Sequence, residues 1–198
     1  SNSIQTNDAA SIVALRNGGF VVSSYSNDGY GIQMYNNAGV SQSITAPIGF
    51  TSSVNPSAKV LASNDGGFVL LWTVLDTNTN AVSLEFQRYT SAGAISGARY
   101  SEAFASTSPV VQNAAIDMHG NIAVPISSND VYTPSQVKLW NASDVAVGIY
   151  NTAYYQSAAV IAPMYGGGFD LFGNDIVAGV GNTASSYYVQ TLGADGSL

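Results

Sequence analysis

The chain has 198 residues, of which 46% are hydrophobic and only 9% are charged. This apolar content excludes general disorder, and the shortage of Glu, Lys and Arg disfavours long exposed helices. Twelve acidic residues against five Lys and Arg give a net charge of −7, which argues against nucleic-acid and anionic-lipid partners. The absence of cysteine excludes disulfides and thiolate metal sites. No apolar run reaches the roughly 18 residues that membrane insertion requires.

One short pattern occurs four times: an apolar run, a turn and a second apolar run. It is found at residues 11–22 (SIVALRNGGFVV), 58–70 (AKVLASNDGGFVL), 114–124 (AAIDMHGNIAV) and 158–171 (AAVIAPMYGGGFDL). Glycine supplies the positive φ that tight hairpin turns need. Each copy therefore predicts two strands, A and B, joined by a hairpin.

A second pattern follows each hairpin and predicts two further strands, C and D. It is found at residues 31–40 (GIQMYNNAGV), 84–95 (LEFQRYTSAGAI), 137–145 (VKLWNASDV) and 188–198 (YVQTLGADGSL). The aligned positions Tyr35, Tyr89, Trp140 and Leu192 are 54, 51 and 52 residues apart. A second aligned set, Phe20, Phe68, Asn121 and Phe169, has steps of 48, 53 and 48. Two landmarks with one period indicate a true internal repeat.

The repeat predicts an all-β fold, a small β-propeller of four four-stranded antiparallel blades. The repeats cover residues 9–56, 57–111, 112–155 and 156–198, within one domain. Small residues introduce each strand A, as expected for the innermost strand. Residues 1–8 resemble strand D of the first repeat, so we expect them to complete the last blade and close the ring. Four blades cut from a larger ring are the alternative, and a β-sandwich and a parallel β-helix rank lower.

The third repeat is the faintest, since Pro125 interrupts its strand B. Proline cannot donate a ladder hydrogen bond, so this position is expected at a bulge or an edge.

The repeat resembles one found in very large bacterial secreted and adhesin-like proteins. The resemblance lies in a DGGFVV-type hairpin followed by a strand and turn of the type YGIYAQRYDANG, and it is clearest at residues 17–39 and 64–93. It implies a secreted or cell-surface location in a bacterium.

The candidate site is the set of loops between strands B and C, which a meander places at one end of the blades. Each loop carries an acidic residue beside or near Asn, and two are followed by Tyr. The predicted binding residues are Asn27, Asp28, Tyr30, Asp76, Asn129, Asp130, Tyr132, Asn174 and Asp175. Such a set could hydrogen-bond sugar hydroxyls or coordinate Ca²⁺. The alternative is that Asn and Asp are simply good turn residues.

Other chemistry has weaker support. Residues 63–67 resemble the Asp-box turn of sialidase-like propellers, but the closing Trp and the necessary Arg cluster are missing. The Asp-Gly pairs at Asp65 and Asp195 are expected to be turns. His119 is the sole histidine and is expected in a turn rather than as a general base. Glu85 and Glu102 are the only glutamates, and no Asp-x-Asp-x-Asp-Gly calcium loop occurs.

These observations predict an extracellular binding module, a monomeric domain that holds a glycan or a surface protein on its B–C loops. No cofactor is predicted. A structural spacer repeat of a larger bacterial surface protein is the alternative. A glycoside hydrolase or lyase comes third, because the sequence shows no activated nucleophile or acid–base pair.

Overall fold

The computed structural model describes residues 11–26, 29–44, 58–76, 78–104, 107–128, 134–155, 160–179 and 182–197. In this part of the chain the regular structure is sixteen strands and one short 3₁₀ turn. The strands form four antiparallel sheets, each lying within one predicted repeat except for residues 107–109, which belong to the second predicted repeat but pair within the third sheet. The predicted fold class is confirmed: the protein is all-β, with the arrangement of a four-bladed β-propeller.

The first two sheets each contain four strands. Sheet 1 consists of β1 (Ser11–Ala14), β2 (Phe20–Ser26), β3 (Gly29–Tyr35) and β4 (Ser41–Gln42). Sheet 2 consists of β5 (Ala58–Ala62), β6 (Phe68–Leu75), β7 (Val82–Tyr89) and β8 (Ile95–Phe104). In both sheets the strands pair in chain order, which confirms the predicted meander from A to D.

The last two sheets depart from this pattern in detail. Sheet 3 consists of β9 (Thr107–Pro109), β10 (Ala115–Ile116), β11 (Ile122–Ser128), β12 (Pro134–Trp140) and β13 (Ala146–Tyr155). Sheet 4 consists of β14 (Val160–Pro163), β15 (Phe169–Gly179) and β16 (Asn182–Leu192). The segment expected to complete this sheet, residues 1–8, lies outside the described residues, so ring closure by the N-terminal strand stays a prediction.

The structure corrects one alignment made from the sequence. The residue that begins strand B is Phe20, Phe68 and Phe169 in three sheets, and in sheet 3 it is Ile122 rather than Asn121. Ile122 pairs with Trp140 as Phe68 pairs with Tyr89. Asn121 takes the last position of the preceding turn, where the other sheets have glycine.

Pro125 pairs with Val137 of β12 on one side of β11. On the side of strand A it falls between the residues that pair with β10 and those that pair with β9, so the expected irregularity is a break in that ladder. The carbonyl of Pro125 accepts a hydrogen bond from the backbone N–H of Val110, 2.7 Å away. In a strand the N and O of one residue point to the same side, so the missing donor faces strand A. Strand A is interrupted there by the 3₁₀ turn Val111–Asn113. The irregularity therefore lies in the neighbouring strand.

The chain divides into two compact units, Ser1–Glu102 and Ala103–Leu198. In the first unit, side chains of sheets 1 and 2 form a common core that includes Val21, Met34, Phe68, Leu70 and Trp72. In the second unit, sheets 3 and 4 share a core of their own. Its buried members are Ala115, Ala123, Val137, Leu139, Ile161, Phe169, Leu171 and Leu192. Each sheet is thus one layer of a two-sheet core within its unit.

Strand C alternates as predicted, with one difference. Leu84 and Phe86 are fully buried on one face of β7. On the opposite face Gln87 is also buried, and its amide nitrogen donates to the carbonyl oxygens of Ser96 and Gly97 in β8. Gln33 donates in the same way to the carbonyl oxygen of Gln42 in β4. In both sheets a glutamine therefore helps to hold strand D against strand C.

None of the helical structure in the described residues is long and apolar enough to cross a membrane.

Candidate functional site

The structure places few of the predicted B–C residues in a describable site. Asn27, Asp28, Asn129, Asp130 and Tyr132 lie outside the described residues. Tyr30 is on β3, where its backbone pairs with that of Tyr25. Whether these residues form one binding surface therefore stays a prediction.

Asp76 is the predicted acid whose side-chain contacts the structure describes, and it bonds to its own loop. Its carboxylate accepts the backbone N–H of Asn78 at 2.8 Å, and its own N–H donates to the carbonyl oxygen of Ala81. The Asn78 N–H, followed by the Thr79 hydroxyl, lowers the pKa of Asp76 below its ordinary value. This is the behaviour of a turn-forming aspartate.

For Asn174 and Asp175 the predicted loop position is wrong. Both lie inside β15, with their backbones opposite Tyr187 and Ser186 of β16. The two strands pair as far as Gly179 and Asn182. Asn-Asp is a common turn pair, but here it is followed by Ile, Val and Ala, and the long ladder outweighs the local preference.

The opposite ends of the sheets carry the better-described feature. There, eight five-residue turns are found, of which seven join strand A to B or strand C to D and the eighth follows strand C of sheet 4. In each turn the backbone N–H of position 1 donates to the carbonyl of position 5, and the N–H of position 4 donates to the carbonyl of position 1. The turns are residues 15–19, 36–40, 63–67, 90–94, 117–121, 141–145, 164–168 and 193–197. Position 4 has positive φ in all eight, and only Asp144 is not a glycine there.

Side chains reinforce these turns from within. At position 1, Asn36 and Asn141 each accept the N–H groups of positions 3 and 5 at 2.9–3.1 Å. At position 3, Asn17, Asp65 and Asp195 accept the N–H of position 5 at 2.9–3.0 Å. The expectation that Asp65 and Asp195 form turns is confirmed. The backbone of the turns is thus held in one conformation.

The tips of the turns, positions 2 and 3, differ from one sheet to the next. In the A–B turns they are Arg16 and Asn17, Asn64 and Asp65, Met118 and His119, and Tyr165 and Gly166. Tyr165 is 98% exposed and Met118 is 41% exposed. A constant backbone therefore presents a variable set of exposed side chains.

In the first unit these turns border a half-open cavity of about 380 Å³. Its walls come from the A–B and C–D turns of sheet 1, the end of β4 and the C–D turn of sheet 2. The lining residues are Asn17, Met34, Tyr35, Asn36, Gln42, Ser43, Ser91 and Ala92. None of these side chains is charged.

In the second unit the A–B turns of sheets 3 and 4 are joined by Asp117. Its side chain is fully buried and accepts the backbone N–H groups of His119, Asn121 and Gly168, and the side-chain amide of Asn121, each at 2.9 Å. His119 is a turn residue as expected. Its Nδ1 is 3.9 Å from the Asp117 carboxylate, too far for a hydrogen bond.

Both glutamates contact residues of their own sheet in the part of the chain that the structure describes. Glu85 accepts a hydrogen bond from Ser101 and pairs with Arg99 at 3.6 Å, while Glu102 accepts the hydroxyl of Tyr100. No three His, Asp or Glu side chains in this part of the chain are close enough to hold a metal ion.

Two features were missed from the sequence. The cavity depends on three turns converging from two sheets, and Asp117 acts through Gly168, 51 residues away. The sequence carried one signal for the turns that border the cavity, namely the Asn that recurs at the first position of the C–D turns in sheets 1 and 3.

Neither the models of protein families nor the curated proteins include a match to this chain.

The Asp65 turn gives a test of how its hydrogen bonds act. The hydroxyl of Ser63, followed by the N–H of Gly67, lowers the pKa of Asp65. A lowered pKa contributes stability above the unfolded-state value of about 3.9, and this is lost as pH falls through the folded-state value. Asp65→Asn keeps the acceptor, as Asn17 shows, but removes the charge.

We therefore expect D65N to be slightly less stable than the wild type at pH 7, with a difference that shrinks as pH falls through the lowered folded-state pKa of Asp65. The difference at pH 7 should stay under about 1 kcal/mol, because the carboxylate is exposed to solvent. Thermal unfolding followed by circular dichroism between pH 2 and 7 measures it. A difference that persists at the lowest pH would contradict this account.

Proposed function

We propose that this chain is a non-catalytic binding module of a bacterial secreted or cell-surface protein, and that it holds a glycan or protein ligand. The observation that carries the proposal is the set of eight turns with one backbone conformation and differing exposed tips. Recognition surfaces commonly consist of a rigid backbone that carries variable side chains, because a rigid backbone loses little conformational entropy on binding.

Composition and repeat type support the extracellular placement. The chain has few charges, no cysteine and many Ser, Thr and Asn residues. Its repeat resembles that of large adhesin-like bacterial proteins. The B–C loop residues Asn27, Asp28, Asn129 and Asp130, together with Tyr30 and Tyr132, remain a second proposed contact surface.

A structural spacer is the competing function. The loop that contains Asp76 favours it, because the Asp76 carboxylate accepts a hydrogen bond from the backbone of that same loop. A spacer needs stable turns but no ligand. The two functions differ in whether the folded chain retains any partner.

The experiment is a binding survey with the intact chain. Fluorescently labelled protein is applied to an array of neutral and acidic glycans and to a panel of surface proteins. The mass of each glycan that retains the protein is then measured by mass spectrometry before and after incubation. We expect reproducible retention of at least one related group, with unchanged glycan masses. A folded chain that retains nothing would support the spacer, and a shortened glycan would support an enzyme.

An Asp76→Ala variant tests which end of the sheets is used. If ligands contact the turns, retention stays at the wild-type level, and the unfolding midpoint falls only slightly because the Asp76 side chain is exposed. Loss of retention with an unchanged unfolding midpoint would assign the site to the B–C loops instead.

A further inference from the structure

The cavity in the first unit has fixed walls. A Cβ on Gly18 would lie 3.2 Å from the Cβ of Asn37, so the two turns of sheet 1 pack closely together. A Cβ on Gly93 would lie 3.1 Å from the carbonyl oxygen of Ser43 and 3.4 Å from Cε of Met34. The turn of sheet 2 therefore packs against the end of sheet 1. The space between them is preformed.

The lining restricts the chemistry of a ligand. The lining residues comprise three with carboxamides and three with hydroxyls, the latter including Tyr35, together with Met34 and Ala92. A charged ligand would lose its hydration without a countercharge, and a purely apolar ligand would leave the carboxamides unpaired. A neutral molecule with many hydroxyl groups meets both conditions. The volume of about 380 Å³ is near the lower end of the range for small-molecule sites, which suits one or two sugar rings.

The asparagines have hydrogen-bonding capacity to spare. The amide oxygen of Asn17 is used by Gly19 N–H, and that of Asn36 by the N–H groups of Ala38 and Val40. These bonds fix each side chain and leave its Nδ2 donors without a partner among the described residues. Gln42 uses its amide nitrogen on the carbonyl oxygens of Val40 and Ser41, which leaves its oxygen as an acceptor. Held donors and an acceptor of this kind are typical of sugar recognition.

We infer that this cavity is a binding site for a neutral carbohydrate, with Asn17 and Asn36 as donors to its hydroxyls and Gln42 as an acceptor. The inference rests on the proposed binding function and names its site and ligand class. It places the site at the end of the sheets opposite to the B–C loops.

The first experiment locates the site by NMR. ¹⁵N-labelled full chain is titrated with methyl glucoside, methyl mannoside and methyl galactoside up to about 50 mM, well above a Kd of about 1 mM. Methyl glucuronide and glucosamine serve as charged comparators. We expect the side-chain amide resonances of Asn17, Asn36 and Gln42 to shift with at least one neutral sugar and less with the charged ones. Unchanged resonances with all neutral sugars would overturn the inference.

Isosteric variants test the assigned roles. Asn17→Asp and Asn36→Asp keep the oxygen that each turn needs and replace the Nδ2 donors with a charge. The turn of sheet 2 already carries Asp65 at the position of Asn17, so folding should be preserved. Asn141→Asp is the matched control, because Asn141 makes the same turn bonds as Asn36 but lies in the second unit.

We expect Asn17→Asp and Asn36→Asp each to weaken sugar binding about tenfold, and Asn141→Asp to leave it unchanged. Tighter binding of glucosamine by the Asp variants, without loss of neutral sugars, would assign a cationic ligand and overturn the inference. If the array retains a glycan that both cavity variants also retain, the binding function stands and the cavity site is wrong. If neither the array nor the NMR titration shows binding, the function itself fails.

Discussion

Replacement of Asp117 by alanine is expected to lower the free energy of unfolding by about 3–5 kcal/mol. The carboxylate accepts four hydrogen bonds, and its removal leaves three backbone N–H groups and the amide of Asn121 without that acceptor. Asn121 and Gly168 are buried, so water cannot easily replace the lost oxygen atoms. The loss should appear in urea denaturation followed by circular dichroism.

Asp117→Asn separates the two functions of this residue. An asparagine at position 1 supports the turn, as Asn36 and Asn141 do. However, its Nδ2 would replace Oδ2, which accepts both the N–H of Gly168 and the side-chain amide of Asn121, so the bond between sheets 3 and 4 is lost together with one bond inside the turn. We expect D117N to cost about 1.5–3 kcal/mol, between the wild type and D117A.

The control for both variants is Asp65→Ala, which removes an exposed aspartate from the equivalent turn of sheet 2. Its carboxylate accepts hydrogen bonds from Ser63 and Gly67 within its own turn. The expected loss is about 1 kcal/mol or less, because both donors can turn to water. If D117A were no more costly than D65A, the bond to Gly168 would have no structural importance.

The sheets could be predicted from the sequence because their signals are local. A glycine at position 4 of a five-residue turn, between two alternating apolar runs, defines a hairpin whatever surrounds it. Four copies of that signal were enough for the number of sheets and the order of their strands. The strand length in sheet 4 was missed for the same reason: Asn174-Asp175 is a local turn signal, and pairing along β15 and β16 overrides it.

The candidate sites could be predicted less well because they depend on contacts between sheets. Nothing in the local sequence singles out Asp117 as a link between two sheets, although its carboxylate accepts the backbone N–H of Gly168. The cavity combines residues from Asn17 to Ala92, and their convergence follows from the packing of Gly93 on Met34 and Ser43. Spacing along the chain carries no information about such contacts. The acids of the B–C loops were predicted to bind a ligand because they recur in each repeat. Recurrence is also what a repeated turn produces.

Packing between sheets can be measured with two phenylalanines in equivalent positions. Phe68 stacks on Tyr89 with ring centroids 4.7 Å apart, and Phe20 stacks on Tyr35 at 4.8 Å. Phe68 is fully buried in the core shared by sheets 1 and 2, whereas Phe20 is partly exposed. The ring stacking is therefore matched, and the packing around it differs.

We expect Phe68→Ala to lower the free energy of unfolding by about 3–5 kcal/mol and Phe20→Ala by about 1–2 kcal/mol, measured by urea denaturation. Both variants lose one stacked ring pair, so the difference between them reports the cavity left in the core between the two sheets. Equal losses would mean that stacking within each sheet supplies most of the stability. In that case the core between sheets 1 and 2 would contribute little to the free energy of unfolding. The turns of these two sheets would then not be held firmly enough to form the walls of a preformed cavity.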